Sequence, residues 1–197
     1  MCVEFMSKAT GPTYIVAFKR RRNGVTNYRK RLALLKSGIA RFVVRKSNRS
    51  IVSHIVEYNE KFDKTIFSVN SADLKKFGWH PRANLPTAYL VGLLCGRTAI
   101  KKKVKNAILD SGLSSPGKGS FIFATLKGFK DAGVEIPAGE IKVDESRVNG
   151  KHIADYAKSI AGSDKYKLQF GDYIKAGVKP ENIEQLFNDV KQKIMKE

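Results

Sequence analysis

Cysteine is nearly absent from this chain of 197 residues: Cys2 and Cys95 are too few and too far apart for a disulfide framework or a zinc cluster. Cys95 lies in an apolar helical pattern and reads as a packing residue, and a reducing, cytoplasmic setting fits. Long hydrophobic runs are missing too. No stretch approaches the roughly 18 apolar residues of a membrane-crossing helix. Residues 1–18 lack a basic segment followed by an apolar run, so they do not read as a secretory leader, and Met6, opening MSKATGP, is a candidate natural start. The three histidines, His54, His80 and His152, stand singly. With no Ser/His/Asp or paired-carboxylate constellation in sight, the expectation is structural histidines, no catalytic centre, no metal and no cofactor. The sharpest absence is acidic charge near the N-terminus: the first fifty residues hold thirteen Lys or Arg and one acid, Glu4.

What is present follows from that imbalance. The chain carries a formal net charge of +19 and a sequence pI near 10.0. The charge is graded: residues 1–50 carry +12, 51–105 carry +6, 106–139 are neutral and 140–197 carry +1. A segment that repels itself this strongly calls for a polyanion, and the gradient predicts that the N-terminal half lies on nucleic acid. Charge alone leaves duplex DNA as an alternative ligand. A hydrophobic content of 42% is enough for one sizeable core. The composition shifts suggest a basic arm and helix over 1–38, an α/β core over 39–139, and a charge-balanced helical extension over 140–197.

Gly11 and Pro12 predict an extended arm, disordered on its own, with Tyr14 and Phe18 beside the cluster Lys19, Arg20, Arg21, Arg22. Such a segment suits phosphates, with guanidinium groups giving bidentate contacts and stacking on bases. A nuclear-type address or a solvated tail is the plainer alternative. Thr26 is expected to cap a helix to about Ser37, with Tyr28, Leu32 and Leu35 on a docking face. Arg29, Lys30, Arg31 and Lys36 cover most of the rest, with no acids for intrahelical pairing, which favours RNA contact. Residues 39–46 then read as a strand with Phe42 and Val44 on one face and Arg41, Val43 and Arg45 on the other. The turn Lys46, Ser47, Asn48, Arg49, Ser50 is either turn chemistry or a set of donors and cations for sugar and phosphate. Strands at Ile51–Tyr58 and 65–69 complete an antiparallel meander.

A short helix from Ser71 to Gly78 and a loop lead to the longest apolar segment, from Pro86 for about eighteen residues, expected as the buried central helix. Gly92 and Gly96 are expected to let its backbone approach the sheet. Lys101, Lys102, Lys103 and Lys105 at its end complement the helix dipole or touch RNA. A short strand over 107–110 precedes the loop Gly112 to Gly119, reading GLSSPGKG, ahead of a helical pattern over 121–132. The spacing partly matches a phosphate-binding P-loop, which keeps a P-loop NTPase as the enzyme alternative. However, Gly119 stands where Ser or Thr would ligate magnesium, and Pro116 removes a backbone donor. Two helices are expected beyond residue 140, near Lys151–Ile160 and Pro180–Lys196, separated by the Gly162–Gly177 region.

The ordered series GPTYIVAFKRRRNGVTNYRKRLALLKSG, RFVVRKSNRSI, GW, NLPTAYLVGLL and ILDSGLSSPGKGSFIFATLKGFKDAGVEIP resembles the eighteenth large-subunit ribosomal protein family in its archaeal and eukaryotic form. The resemblance covers roughly residues 7–160. It implies an α/β fold, a mixed sheet with helices packed against it, preceded by a basic arm. It implies a non-enzymatic, cytoplasmic ribosomal protein that binds 5S rRNA and helps attach it to the large-subunit rRNA in the central protuberance, beside neighbouring large-subunit proteins and away from membrane. By position it places Lys19–Arg22 on the arginine-rich arm, Arg29–Arg31 on the basic helix, and Arg45, Lys46, Ser47, Asn48 and Arg49 on the RKSN turn. Ser114, Ser115 and Lys118 fall on its Gly/Ser loop, which needs no magnesium.

Overall fold

The computed structural model describes residues 11–60 and 62–196. The candidate start at Met6, with Cys2 and Glu4, lies outside them. Eight α-helices and four strands are present among the described residues. The sheet has strands β1 (Arg41–Lys46), β2 (Ile51–Tyr58), β3 (Asp63–Asn70) and β4 (Ile108–Asp110), in the order β3-β2-β1-β4. The meander is antiparallel, and β4 joins β1 in parallel, so the sheet is mixed.

Alternation along β1 decides which face is covered. Phe42 and Val44 are fully buried on the inner face, and on β2 Ile51, Ser53 and Ile55 pair with that set. Two helices lie over this face: α3 (Leu85–Lys101) and α4 (Phe121–Asp131). Asn84 starts α3 by accepting a bond from the Thr87 amide, and Pro86 sits in the first turn, where its missing N–H costs nothing. Twelve residues of α3 are buried, as expected of a central helix. The ring of Phe129 on α4 stacks on Phe42 at 4.1 Å. Gly92 and Gly96 face α4 rather than the sheet. A Cβ on Gly92 would stand 2.0 Å from the Thr125 carbonyl oxygen, and one on Gly128 of α4 would stand 2.1 Å from that of Tyr89. The two helix backbones therefore touch through glycine. Cys95, fully buried, is a packing group whose thiol pKa burial pushes up to about 12.

The C-terminal part contributes α5 (Glu145–Val148), α6 (Lys151–Ser159), α7 (Asp164–Lys175) and α8 (Ile183–Lys196), with a 3-10 turn at Pro180–Asn182 leading into α8. Ile183, Phe187, Val190 and Ile194 recur at helical spacing and are all buried in the same core as Phe42. Phe187 meets Trp79 edge-on at 6.3 Å and Tyr89 at 5.5 Å. The α7 helix occupies the region expected to separate two helices. Tyr166, Phe170 and Tyr173 carry its stripe, and Gly177, at φ 69°, closes its end instead of marking a loop.

The N-terminal elements depart further from expectation. Lys19–Arg22 forms a single helical turn, α1, within the arm. It is closed by the Arg22 amide on the Phe18 carbonyl at 3.0 Å and by Gly24 at φ 62°. The next helix, α2 (Tyr28–Leu35), is capped by Asn27, whose side chain accepts from the Lys30 amide at 3.0 Å. Thr26 instead accepts a bond from Arg20 Nε at 2.8 Å. No residue of α2 is buried, and Leu32, placed by its spacing on the docking face, is 56% exposed.

Candidate nucleic-acid interface

The outer face of the sheet is polar and charged. Arg41, Val43 and Arg45 of β1 point to it, with Asp63 of β3 and Asp110 of β4. Arg41 is only 4% exposed, so its charge must be matched locally. It is matched on both sides: Nη1 lies 3.2 Å from Asp110 Oδ2, and Nη2 lies 2.8 Å from Asp63 Oδ2. Its Nε has no hydrogen-bond partner.

Two further arginines extend the chain of charges. Arg31 of α2 donates through Nη1 and Nη2 to the two oxygens of Asp63, at 2.7 and 2.9 Å. Arg45 donates to the Asp110 carbonyl at 2.7 Å and to its carboxylate at 3.2 Å. The sequence Arg31, Asp63, Arg41, Asp110, Arg45 is thus a continuous alternation from α2 across the sheet to β4. Burial pushes the Asp63 carboxyl up, but the hydrogen bonds from Arg31 and the adjacent Arg41 guanidinium outweigh it and hold the group below the usual carboxylate range. The Arg31 guanidinium is correspondingly raised, chiefly by its hydrogen bonds to Asp63.

This network floors a cleft whose walls come from four parts of the chain. The arm and α2 supply Arg20, Tyr28, Lys30 and Arg31; β1 and its turn supply Arg45, Lys46, Ser47 and Asn48; the loop after β4 supplies Leu113 and Ser114. The Phe18 ring packs on Tyr28 at 5.1 Å, fixing the arm's last turn against α2. Lys46 holds its ammonium 5.3 Å from the centre of the Phe121 ring. Lys19, Arg21, Arg22, Arg29, Arg49, Ser115 and Lys118 lie outside the cleft lining and are exposed to solvent.

Several side chains have local duties as well. Ser47 accepts from the Ser50 amide at 3.0 Å and shares a 2.8 Å bond with the Ser50 hydroxyl, which is turn chemistry. In the Gly112–Gly119 loop the backbone donors are turned inward: Gly112 N–H goes to the Asp110 carboxylate at 2.8 Å, Ser114 N–H to the Ser111 carbonyl at 3.3 Å, and Ser120 N–H to the Gly117 carbonyl at 3.2 Å. A P-loop instead points such donors at a phosphate. Here a carboxylate and the Arg45 guanidinium stand at the loop's entrance.

Sequence reasoning missed Asp63 and Asp110 as organisers and set Arg41 only on an outward strand face. A signal existed for Asp63, since residues 51–105 hold just four acids beside ten basic groups. An acid inside a strand of so basic a region has cations to find.

A family model of ribosomal large-subunit proteins, 60S L5 and 50S L18, matches residues 13–106. Over those residues, a little under half of its length, the chain is similar to this family. The match runs through the arm, α1, α2, the meander and α3, and stops before the Gly112–Gly119 loop. That family is one of structural large-subunit ribosomal proteins and not of enzymes. No helix among the described residues is long and apolar enough to cross a membrane.

Proposed function

We propose that this chain is a large-subunit ribosomal protein that binds 5S rRNA in the cytoplasmic ribosome and helps attach it to the large-subunit rRNA in the central protuberance, beside neighbouring large-subunit proteins. The convergence of α1, α2, the turn residues Lys46, Ser47 and Asn48, and the Ser114 loop on one cleft carries this reading. RNA duplexes expose phosphates and 2′-hydroxyls while hiding the major groove, so cations and short hydroxyl or amide side chains on a shaped surface are the suitable tools. Arg20, Lys30 and Lys46 supply charge, while Lys19, Arg21, Arg22 and Arg29 extend it outward. Arg31 and Arg45 act differently: tied to Asp63 and Asp110, they are held in place before the ligand arrives, which lowers the entropy lost on binding.

If about six to ten phosphates are engaged, affinity falls by roughly three to five orders of magnitude between 50 and 200 mM salt. Filter-binding titration of 5S rRNA with the chain lacking residues 7–31, alongside circular dichroism, tests the arm and α2. Tight binding should vanish while the sheet stays folded. Undiminished affinity in the truncated protein would refute the proposal, and duplex DNA competing equally at fixed salt would count against RNA as the ligand.

A further inference from the structure

Among the described residues four helical segments end in the same hydrogen-bond pattern, in which two successive amides turn back onto the last helical turn. At Gly24, Gly78 and Gly177 the residue at the turning point is glycine, with φ of 62°, 87° and 69°. At the end of α3 the pattern is identical, with Lys103 N–H on the Ile100 carbonyl and Val104 N–H on the Ala99 carbonyl, both at 2.9 Å. There the turning residue is a lysine at φ 61°, the one non-glycine with positive φ among the described residues. A side chain with a Cβ is strained in that conformation, and glycine is the stable choice. The chain keeps a cation at a place where stability alone favours none.

The surroundings suggest why. Lys102, Lys103, Lys105 and Lys64 line a polar hollow at the end of the sheet where β1 begins, with Asn106, the Gly38–Ala40 connection and a single acid, Glu57. Lys102 is steered there by its bond to the Ile66 carbonyl at 3.2 Å and by the Phe67 ring 5.5 Å away. None of the four lysines is ion-paired with an acid among the described residues.

We propose that this hollow is a second RNA-phosphate site, separate from the cleft on the outer sheet face, and that Lys103 is kept there for its charge against the preference of the backbone. Building on the RNA-binding function proposed above, it gives the protein a second place to hold a ribosomal RNA backbone. Several ammonium groups on a concave surface suit phosphates as point charges, without reading sequence.

The test uses the full chain with its arm intact, the variants Lys103→Gly and Lys64→Ala/Lys105→Ala, and two probes, a 5S rRNA transcript and a large-subunit rRNA transcript. Lys103→Gly should raise Tm by about 2–4 °C. It should also weaken binding to one of the RNAs by about 3–10-fold and reduce the magnitude of its salt slope by about one. The double variant should reduce that slope by about two without raising Tm. Which transcript responds identifies the RNA held there. Unchanged slopes on both RNAs for both variants overturn the proposal, even if Lys103→Gly is more stable. If the arm truncation abolishes 5S rRNA binding while these variants leave every slope intact, the second site fails and the function proposed for the cleft stands.

Discussion

The helices α2 and α8 lie at opposite ends of the chain and are attached by opposite means. No residue of α2 is buried, and its tie to the sheet is the two-pronged ion pair from Arg31 to Asp63. By contrast α8 buries Ile183, Phe187, Val190 and Ile194 in the core, against Trp79 and Tyr89. One helix is held by charges that salt, protons or a polyanion can compete for, the other by apolar contact that they barely touch. The element facing the proposed ligand is the loosely held one.

The contrast can be broken first at its strong end. Replacing Phe187 with Ala should cost about 3–5 kcal/mol, since a fully buried ring leaves a cavity that its neighbours fill only in part. Urea unfolding should show the whole domain shifted, with RNA binding retained wherever the protein is folded. Asp63→Asn attacks the other end. It removes the partner of Arg31 and one of the two partners of Arg41, and should cost about 2 kcal/mol. Its effect depends on pH with a definite sign. The folded-state value of Asp63 is depressed, so its contribution is complete above the ordinary carboxylate value near ~4 and is lost as pH falls through the lower folded value. Urea midpoints for the wild type and Asp63→Asn should therefore differ at pH 7 and converge in acid, and a constant gap down to pH 3 would contradict the ion-pair attachment. The smallest effect belongs to Asn27→Ala, which removes the cap of α2 and should cost about 1 kcal/mol locally. Hydrogen exchange should quicken in α2 while Tm hardly moves, because nothing in the core depends on that helix.

The inner half of the fold was legible because its signals are periodic. Alternation in β1 and the run from Pro86 each point to a buried face, and each is found buried. The last helix, expected only as part of a charge-balanced extension, joins the core as well. The outer half was harder to read. Tyr28, Leu32 and Leu35 have helical spacing, yet α2 docks through Arg31, whose partner lies 32 residues away, so no local pattern announces it. Thr26 and Asn27 are both good caps, and Arg20 takes the first of them for itself. For the site, composition identified the cationic segments but left open which cations are already partnered. Arg31 and Arg45 look like Arg29 and Arg49 in sequence, and only the third dimension gives the former pair their aspartates.

The parallel ladder between β1 and β4 also sets an order of events in time. Arg41 and its partner Asp110 are 69 residues apart in the chain. At about 5–20 residues per second of synthesis, the aspartate follows the arginine by roughly 3–14 seconds. Throughout that interval the cationic arm is already made while the second carboxylate anchoring its floor does not yet exist. A nascent chain of this protein thus carries its cations before the cleft that positions them exists, and the making of β4 supplies the last carboxylate of the floor.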